Sequence, residues 1–411
     1  MAGLAFEQES ALTRSFVAAL IRAVQAHEAV YLLIIEEIVM IVPLDDYIGH
    51  QTSMSFAYPA TSDPSWMERF WYFGYNVPAG EVGFMIGLGY HPNKNVLEAF
   101  ALVTVGGVQR NFRGSRQINW TPLQTALGPL EFSIVDAGKV HRLTMQENKS
   151  GIQFELIFTG TTQPNEEDHH FRRSQGRVIE DSTRFAQNGR FAGLLESGGR
   201  RYDLSIGDWR AHRDHSWGIR RYLRTDENYP PITANAPMLY NWFLAELDGE
   251  SIHTFVLEKS PGVYSVFSGD ITGPLGDTKY KRVKLAGIEH DYKWADDPIG
   301  QQFLGGTMTL LLEGGGRRVL QIKVLEARVF HKGGGYGGLN GVFHGDDLGE
   351  LHIAHDQWNL RDAGHRKVMK NLSEYTLEVR EGSKVGYGVI ECVVGNGYPK
   401  YQIAQKFQTM F

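Results

Sequence analysis

The stretch RFWYFGYNVPAGEVGFMIGLGYHPNKNVLEAFALVTV, residues 69–105, sets three apolar runs between turn-forming clusters of Gly, Pro and Asn. Runs of nine or ten residues, rich in aromatic and β-branched side chains and bounded in this way, read as strands joined by tight turns. The same texture continues along the chain in IQFELIFTGTT (152–162), MLYNWFLAEL (238–247), SIHTFVLEK (251–259), GTMTLLLEGG (306–315), RVLQIKVLEARVF (318–330) and YTLEVREG (375–382). After Pro43 the one window with a helical look is DSTRFAQNGRFAGLLESG (181–198). The expectation is a mainly β protein. Many antiparallel strands with 12% aromatic residues favour barrels or sandwiches, filled by side chains or enclosing an apolar ligand.

A chain of 411 residues exceeds one small core, so two or more domains are expected. With 42% hydrophobic and 21% charged residues it has the composition of an ordinary globular protein. A net charge of -6 and a pI near 6.2 argue against nucleic acid as a partner, because phosphate binding needs clustered cationic charge. One cysteine, Cys392, excludes an internal disulfide and a thiolate-rich metal site, fits a reducing, cytoplasmic setting, and reads as a buried strand residue. The segment 15–46 is apolar, but Arg22, His27, Glu28, Glu36 and Glu37 interrupt it. Its uncharged runs fall short of the ~18 residues a membrane span requires. Leu12, Phe16, Leu20, Val24 and Tyr31 recur at helical spacing, so an amphipathic helix over 1–44 is expected, packed on the body or touching a membrane surface.

HSWGIR (215–220) and HDQWNLR (355–361) echo one another, each with an arginine three residues after a tryptophan. The echo suggests a duplicated β domain, divided in the Gly- and Arg-rich ESGGRRYDLSIGDW near residue 200. The expected limits are 45–204 and 205–411.

The polar constellation of the chain is HRDHSWGIRR (212–221), with Arg210 just ahead. His212 and His215 have an H-x-x-H spacing, but in a strand that spacing sends them to opposite faces, so no metal is expected. His352 and His355 have the same spacing and the same weakness, and EEDHHFRR (166–173) reads as a solvated polar loop. GGGYGGLNG (333–341) lacks the Lys-Ser/Thr and following helix of a phosphate loop and reads as a hairpin or pocket-edge loop. No G-x-S-x-G elbow occurs. In an extended segment Arg213, His215 and Trp217 share one face and His212, Asp214 and Ser216 the other. Buried groups of these types need partners, so Arg210, Arg213, Arg220 and Arg221 are candidates to pair with Asp208, Asp214 and Asp181 at a domain seam.

RDHSWGIR, with GDW ahead of it, resembles the Asp-His-x-Trp-Gly signature of the hydroxyneurosporene synthase (carotenoid hydratase) family. YFGYNVPAGEVGFMIGLGYHPNKNVLEAF (72–100) and NFRGSR (111–116) are similar in style to that family's first domain. The resemblance, over residues 45–411, implies two tandem lipocalin-like antiparallel β-barrels with a pocket where the motif meets the domain junction, working without metal or organic cofactor. It implies a hydratase, lyase or cyclase acting on an isoprenoid or other hydrophobic ligand, with the motif His and Trp at His215 and Trp217 and Asp214 before them. The acid that such enzymes place beside a downstream aromatic has no neighbour in sequence to Tyr240 and Trp242 before Glu246.

Hydrating an alkene needs a proton donor, a shielded carbocation and a positioned water. A carboxylic acid in an apolar pocket stays protonated and serves as the donor, or a histidinium does. The expected catalytic set is His215 as acid/base, Asp214 orienting a histidine, and Trp217 and Tyr240 stabilising a cation. Direct pairing of Asp214 with His215 requires a bend that Gly218 permits. Arg213, Trp242, Arg113 and Arg116 are the expected substrate-binding residues, the arginines by pairing with a carboxylate. The alternative is a non-catalytic carrier of a lipid or secondary metabolite, in which the motif staples the two barrels.

Overall fold

The computed structural model describes residues 41, 43–119, 123–174, 176–220, 238–295, 301–370, 372–395 and 397–403. The helix expected over 1–44 and Arg221 of the motif lie outside the described residues, apart from a short 3-10 helix, Pro43–Asp46. None of the described helices is long and apolar enough to cross a membrane.

Residues 62–118 and 124–411 form one compact unit holding two bodies of antiparallel strands. The first body begins with β1 (Trp66–Asn76), β2 (Val82–His91), β3 (Val96–Val105), β4 (Val108–Gln117), β5 (Leu130–Asp136), β6 (Val140–Met145) and β7 (Ile152–Gly160). It continues through β8 (Asn165–Glu166), β9 (His170–Ser174), β10 (Arg177–Ser197), β11 (Arg200–Leu204) and β12 (Trp209–Arg220). The second comprises β13 (Leu239–Leu247), β14 (Glu250–Ser260), β15 (Val263–Thr272), β16 (Val283–Ala295), β17 (Gln302–Leu312) and β18 (Arg317–Phe330). After β19 (Leu351–Asn359), β20 (Ser373–Glu381) and β21 (Lys384–Val394) complete the chain's strands. Strands β13 to β18 close with β20 and β21 into a barrel. The other sheet is open, running β19-β4-β3-β2-β1-β12-β10-β7-β6-β5.

The mainly β expectation therefore holds, while two closed barrels do not: only the second body closes. Sheet membership also ignores the division expected near residue 204. The Gly-rich segment there is the tight turn of the β10–β11 hairpin, and β12 and β19, both from beyond it, belong to the first sheet. Both strands of the sequence echo thus lie in one sheet. The window 181–198, expected as a helix, is most of the 21-residue strand β10. Its apolar side chains do fall at helix-like intervals, but its backbone is paired by β12 and then β11 along one edge and by β9, β8 and β7 along the other.

Three apolar layers account for the sequence texture. One fills the concave face of the first sheet (Phe84, Phe112, Phe158, Phe191), one fills the barrel (Phe243, Phe303, Tyr375, Cys392), and a third lies between sheet and barrel (Trp71, Tyr75, Trp242, Leu325). Strands β1 to β3 face two of these layers at once, so β2 is buried at nine of its ten positions rather than at alternate ones. That double burial is why residues 82–91 read as a continuous apolar run. Cys392 is buried in a strand as expected.

Candidate active site between sheet and barrel

The layer between the bodies is apolar at its edges and charged at its centre. On the barrel wall, Trp242 stands directly opposite Glu391, and Glu391 directly opposite Glu374, so three adjacent strands present Trp, Glu and Glu in one row. On the sheet, Asp214 of β12 stands between Trp71 of β1 and Ala186 of β10. Arg69 and Arg184 lie two positions along the same faces of β1 and β10. Arg69, Trp71, Arg184, Asp214, Trp242 and Glu391 line a small cavity of about 40 Å³, partly open to solvent, with Phe255, Tyr336 and Leu372 among its apolar walls.

Like charges directly opposite in a sheet repel, and burial withdraws the water that would screen them. Burial is the main force raising both Glu374 and Glu391 above the ordinary carboxylate range: Glu374 well above it, helped by Glu391, and Glu391 to about 7. Tyr240 donates to Glu391 Oε2 at 2.5 Å, and Arg184 and Arg69 also hold Glu391 down relative to Glu374. Neither Glu374 oxygen receives a donor from another described group. With its pKa well above the ordinary range, Glu374 stands protonated at neutral pH beside Glu391. His331 completes the group, its Nε2 3.5 Å from Glu374 and 3.6 Å from Glu391. Burial, then Arg69, pulls its pKa well below the ordinary histidine range, so it is neutral. His331, Glu374 and Glu391 are also the group among the described residues with the donor types and spacing to hold a metal ion, their ligand atoms lying within 4.8 Å of one another.

A second tier fixes the first. Glu167 accepts from Trp242 Nε1 at 2.9 Å, and Arg184 lies 3.4 Å from it and His253 3.2 Å. Burial raises its pKa, but Arg184 and His170 outweigh that and hold Glu167 well below the usual range. The loop 166–173 is therefore not uniformly solvated, because Glu167 and His170 turn inward to these partners. Arg69 lies over the Trp71 ring at 4.0 Å and 3.5 Å from Asp214, which Arg184 approaches at 3.2 Å. Asp214 is thus paired with arginines of β1 and β10, not with those of its own strand.

The structure divides the sequence-nominated residues. Asp214, Tyr240 and Trp242 line the cavity. Arg213, His215 and Trp217 project to the opposite face of β12, as the alternation requires. β12 runs unbroken between β1 and β10 through Gly218, so the bend that would bring Asp214 to His215 is absent. Gly218 has another role: its φ is +127°, and a Cβ there would sit 2.2 Å from the Asp181 carbonyl oxygen. His215 pairs with Glu68 at 2.7 Å and stacks on Phe70 at 3.9 Å. Arg113 pairs with Asp356 of β19 at 2.5 Å, and Arg116 donates to the carbonyls of Ala126 and Gln124, so both hold protein rather than cavity. The glycine-rich loop does reach the cavity edge, through Tyr336.

Sequence reasoning missed Arg69, Arg184, Glu374, Glu391 and His331. One signal was available for Glu391: it is a lone acid inside GVIECVV (388–394), an apolar strand in which an unpaired charge would be costly.

Comparison with solved structures returns an AttH-type protein of Nitrosomonas europaea (TM-score 0.51, 12% identity, 87% of this chain and 97% of that one). Kievitone hydratase from Nectria haematococca follows with a TM-score of 0.39 and 12% identity over 79% of this chain and 88% of that one. CghA with Sch210972 has a TM-score of 0.45 and 10% identity over 80% and 89%. At these identities the first likeness is one of fold. No curated protein matches by sequence. A family model matches residues 41–400, and the chain belongs to that family, the family of unknown function DUF8625.

Proposed function

We propose that the protein is a cofactor-independent lyase or isomerase that hydrates, dehydrates or cyclises a hydrophobic isoprenoid, steroid or other polycyclic substrate in the cavity between sheet and barrel. The observation that carries this reading is the Tyr240–Glu391–Glu374 array, a proton-holding carboxyl pair in an aromatic-walled cavity. Glu391, closest to the Tyr240 hydroxyl, gives its proton to an alkene carbon of the substrate. The π faces of Trp71, Trp242 and Tyr336 stabilise the cation that results. Water adds to that cation, and the proton it loses returns to the carboxyl pair; dehydration is the reverse, and in cyclisation an internal alkene attacks the cation, closing a ring, and the new ring cation loses a proton to the carboxyl pair. Asp214 keeps Arg69 and Arg184 in place, and His215 takes no direct part. The motif that resembles carotenoid hydratases contributes Asp214 and Arg220 to this cavity.

The test is a panel of isoprenoid, steroid and polycyclic alkenes or alcohols, with native mass spectrometry of whatever co-purifies. Glu391→Gln is expected to retain ligand and to lose about 10²- to 10⁴-fold in turnover. Full turnover by that variant overturns the role of Glu391. A wild-type protein that holds such a ligand and never converts it is the carrier instead. Cytoplasmic residence with membrane-surface contact through residues 1–40 is a separate proposal, tested by liposome partition of a chain lacking them.

A further inference from the structure

The other face of the motif strand holds a charge that no carboxylate among the described residues neutralises. Arg213 is 3% exposed, at the concave side of the first sheet. Its Nε donates to Gln187 Oε1 at 2.8 Å, and the Tyr72 hydroxyl is its other polar neighbour. No carboxylate among the described residues pairs with it. Its guanidinium instead lies 5.0 Å from the Phe185 ring and 5.6 Å from that of Phe158. Burial pushes Tyr72 upward, keeping it a neutral hydroxyl, and Tyr72 is hydrogen-bonded to His141 Nδ1. Burial, then Arg213 and His215, pulls His141 down to about 3, so it adds no second positive charge. His215 is already matched by Glu68.

An unpaired buried cation destabilises a fold, and such groups persist where binding neutralises them. One positive charge in an apolar setting calls for one negative charge. From Arg213 the aromatic surround runs by way of Phe185, 6.4 Å from Trp217, to the partly exposed Trp217 itself, with His215 beside it at 5.2 Å. We propose that Arg213, with Tyr72 and Gln187, is the anion-holding floor of a second site, separate from the sheet–barrel cavity, for a monocarboxylate with an aromatic or apolar body.

The test is calorimetric titration of the full chain with 2-naphthoate and with its uncharged analogue 2-naphthylmethanol. Wild type is expected to bind the carboxylate at least about tenfold more tightly, the equivalent of one buried charge-assisted contact. Arg213→Met is expected to lose that preference while its melting temperature holds or rises, since it removes a desolvated charge. Arg213→Lys keeps the charge and retains the preference in reduced form, which covers a methionine variant that folds poorly. Equal affinities for the two probes in wild type overturn the proposal. A preference that survives in Arg213→Met also overturns it, by moving the anion to Arg69 and Arg184. A fall in melting temperature of Arg213→Met, with the preference unchanged in Arg213→Lys and absent from neither variant, makes Arg213 structural and overturns it as well.

Discussion

The two faces of β12 handle charge in opposite ways. Toward the barrel, Asp214 sits between Arg69 at 3.5 Å and Arg184 at 3.2 Å. Toward the concave side, one residue later and one earlier, His215 is matched at the rim while Arg213 is not matched at all. The comparison teaches that burial alone does not mark function. The compensated groups fix the seam between sheet and barrel, and both proposals rest on the groups that lack such compensation, the raised glutamates and Arg213.

Five experiments sharpen that contrast, the largest effect first. Asp214→Ala leaves two buried arginines facing each other and is expected to cost about 3–5 kcal/mol in denaturant-measured stability; a loss as small as that of a surface pair would show the network to be ornamental. The second is the pH dependence of stability. The raised glutamates bind more protons folded than unfolded, so their contribution is complete below about 4.5, the ordinary glutamate value; that of Glu391, on the order of 3 kcal/mol, is lost as pH rises through about 7, and that of Glu374 is lost as pH rises through its own raised value. His141 and His212, both pulled down to about 3 by burial first, behave in the opposite sense. Their contribution is present above the unfolded histidine value and is lost as pH falls toward 3. Unfolding titrations should show an alkaline arm flattened by Glu374→Gln with Glu391→Gln, and an acid arm those changes leave alone. Turnover should follow the alkaline arm, because the donor must be protonated. Third, Gly218→Ala forces a left-handed φ and a backbone clash and is expected to cost at least about 1–3 kcal/mol, measured by thermal melting. Smallest is His215→Ala, which gives up a rim ion pair worth about 0.2–1 kcal/mol and is expected to leave turnover in the sheet–barrel cavity unchanged. A chelator added to the wild type should also leave turnover unchanged; a loss restored by divalent metal would hand His331, Glu374 and Glu391 to a metal ion instead of a proton.

Much of this was legible before the fold was known. The turn-bounded aromatic runs announced a β protein, and the two-residue period of an extended strand already separated Arg213, His215 and Trp217 from His212, Asp214 and Ser216. The same period explains the error at 181–198, where a strand packed on both faces places apolar residues without clean alternation, and helical spacing arises by coincidence. The paired acid for Tyr240 was sought within a few residues of it. It stands 151 residues away, on a neighbouring barrel strand.

What the sequence by itself determined is local: strand texture, turn positions, the face on which each motif residue lies, and the single cysteine that leaves no internal disulfide. What only the tertiary structure decided is which strands are neighbours. That choice placed β19 in the first sheet, set Glu374 opposite Glu391, and separated Asp214 from His215. The physical reason is that side-chain periodicity encodes the faces of a strand but not the partner at its edge. Partners are selected by packing summed over the whole sheet and barrel, and Glu374 and Glu391 rise above the ordinary carboxylate range only once that packing has buried them.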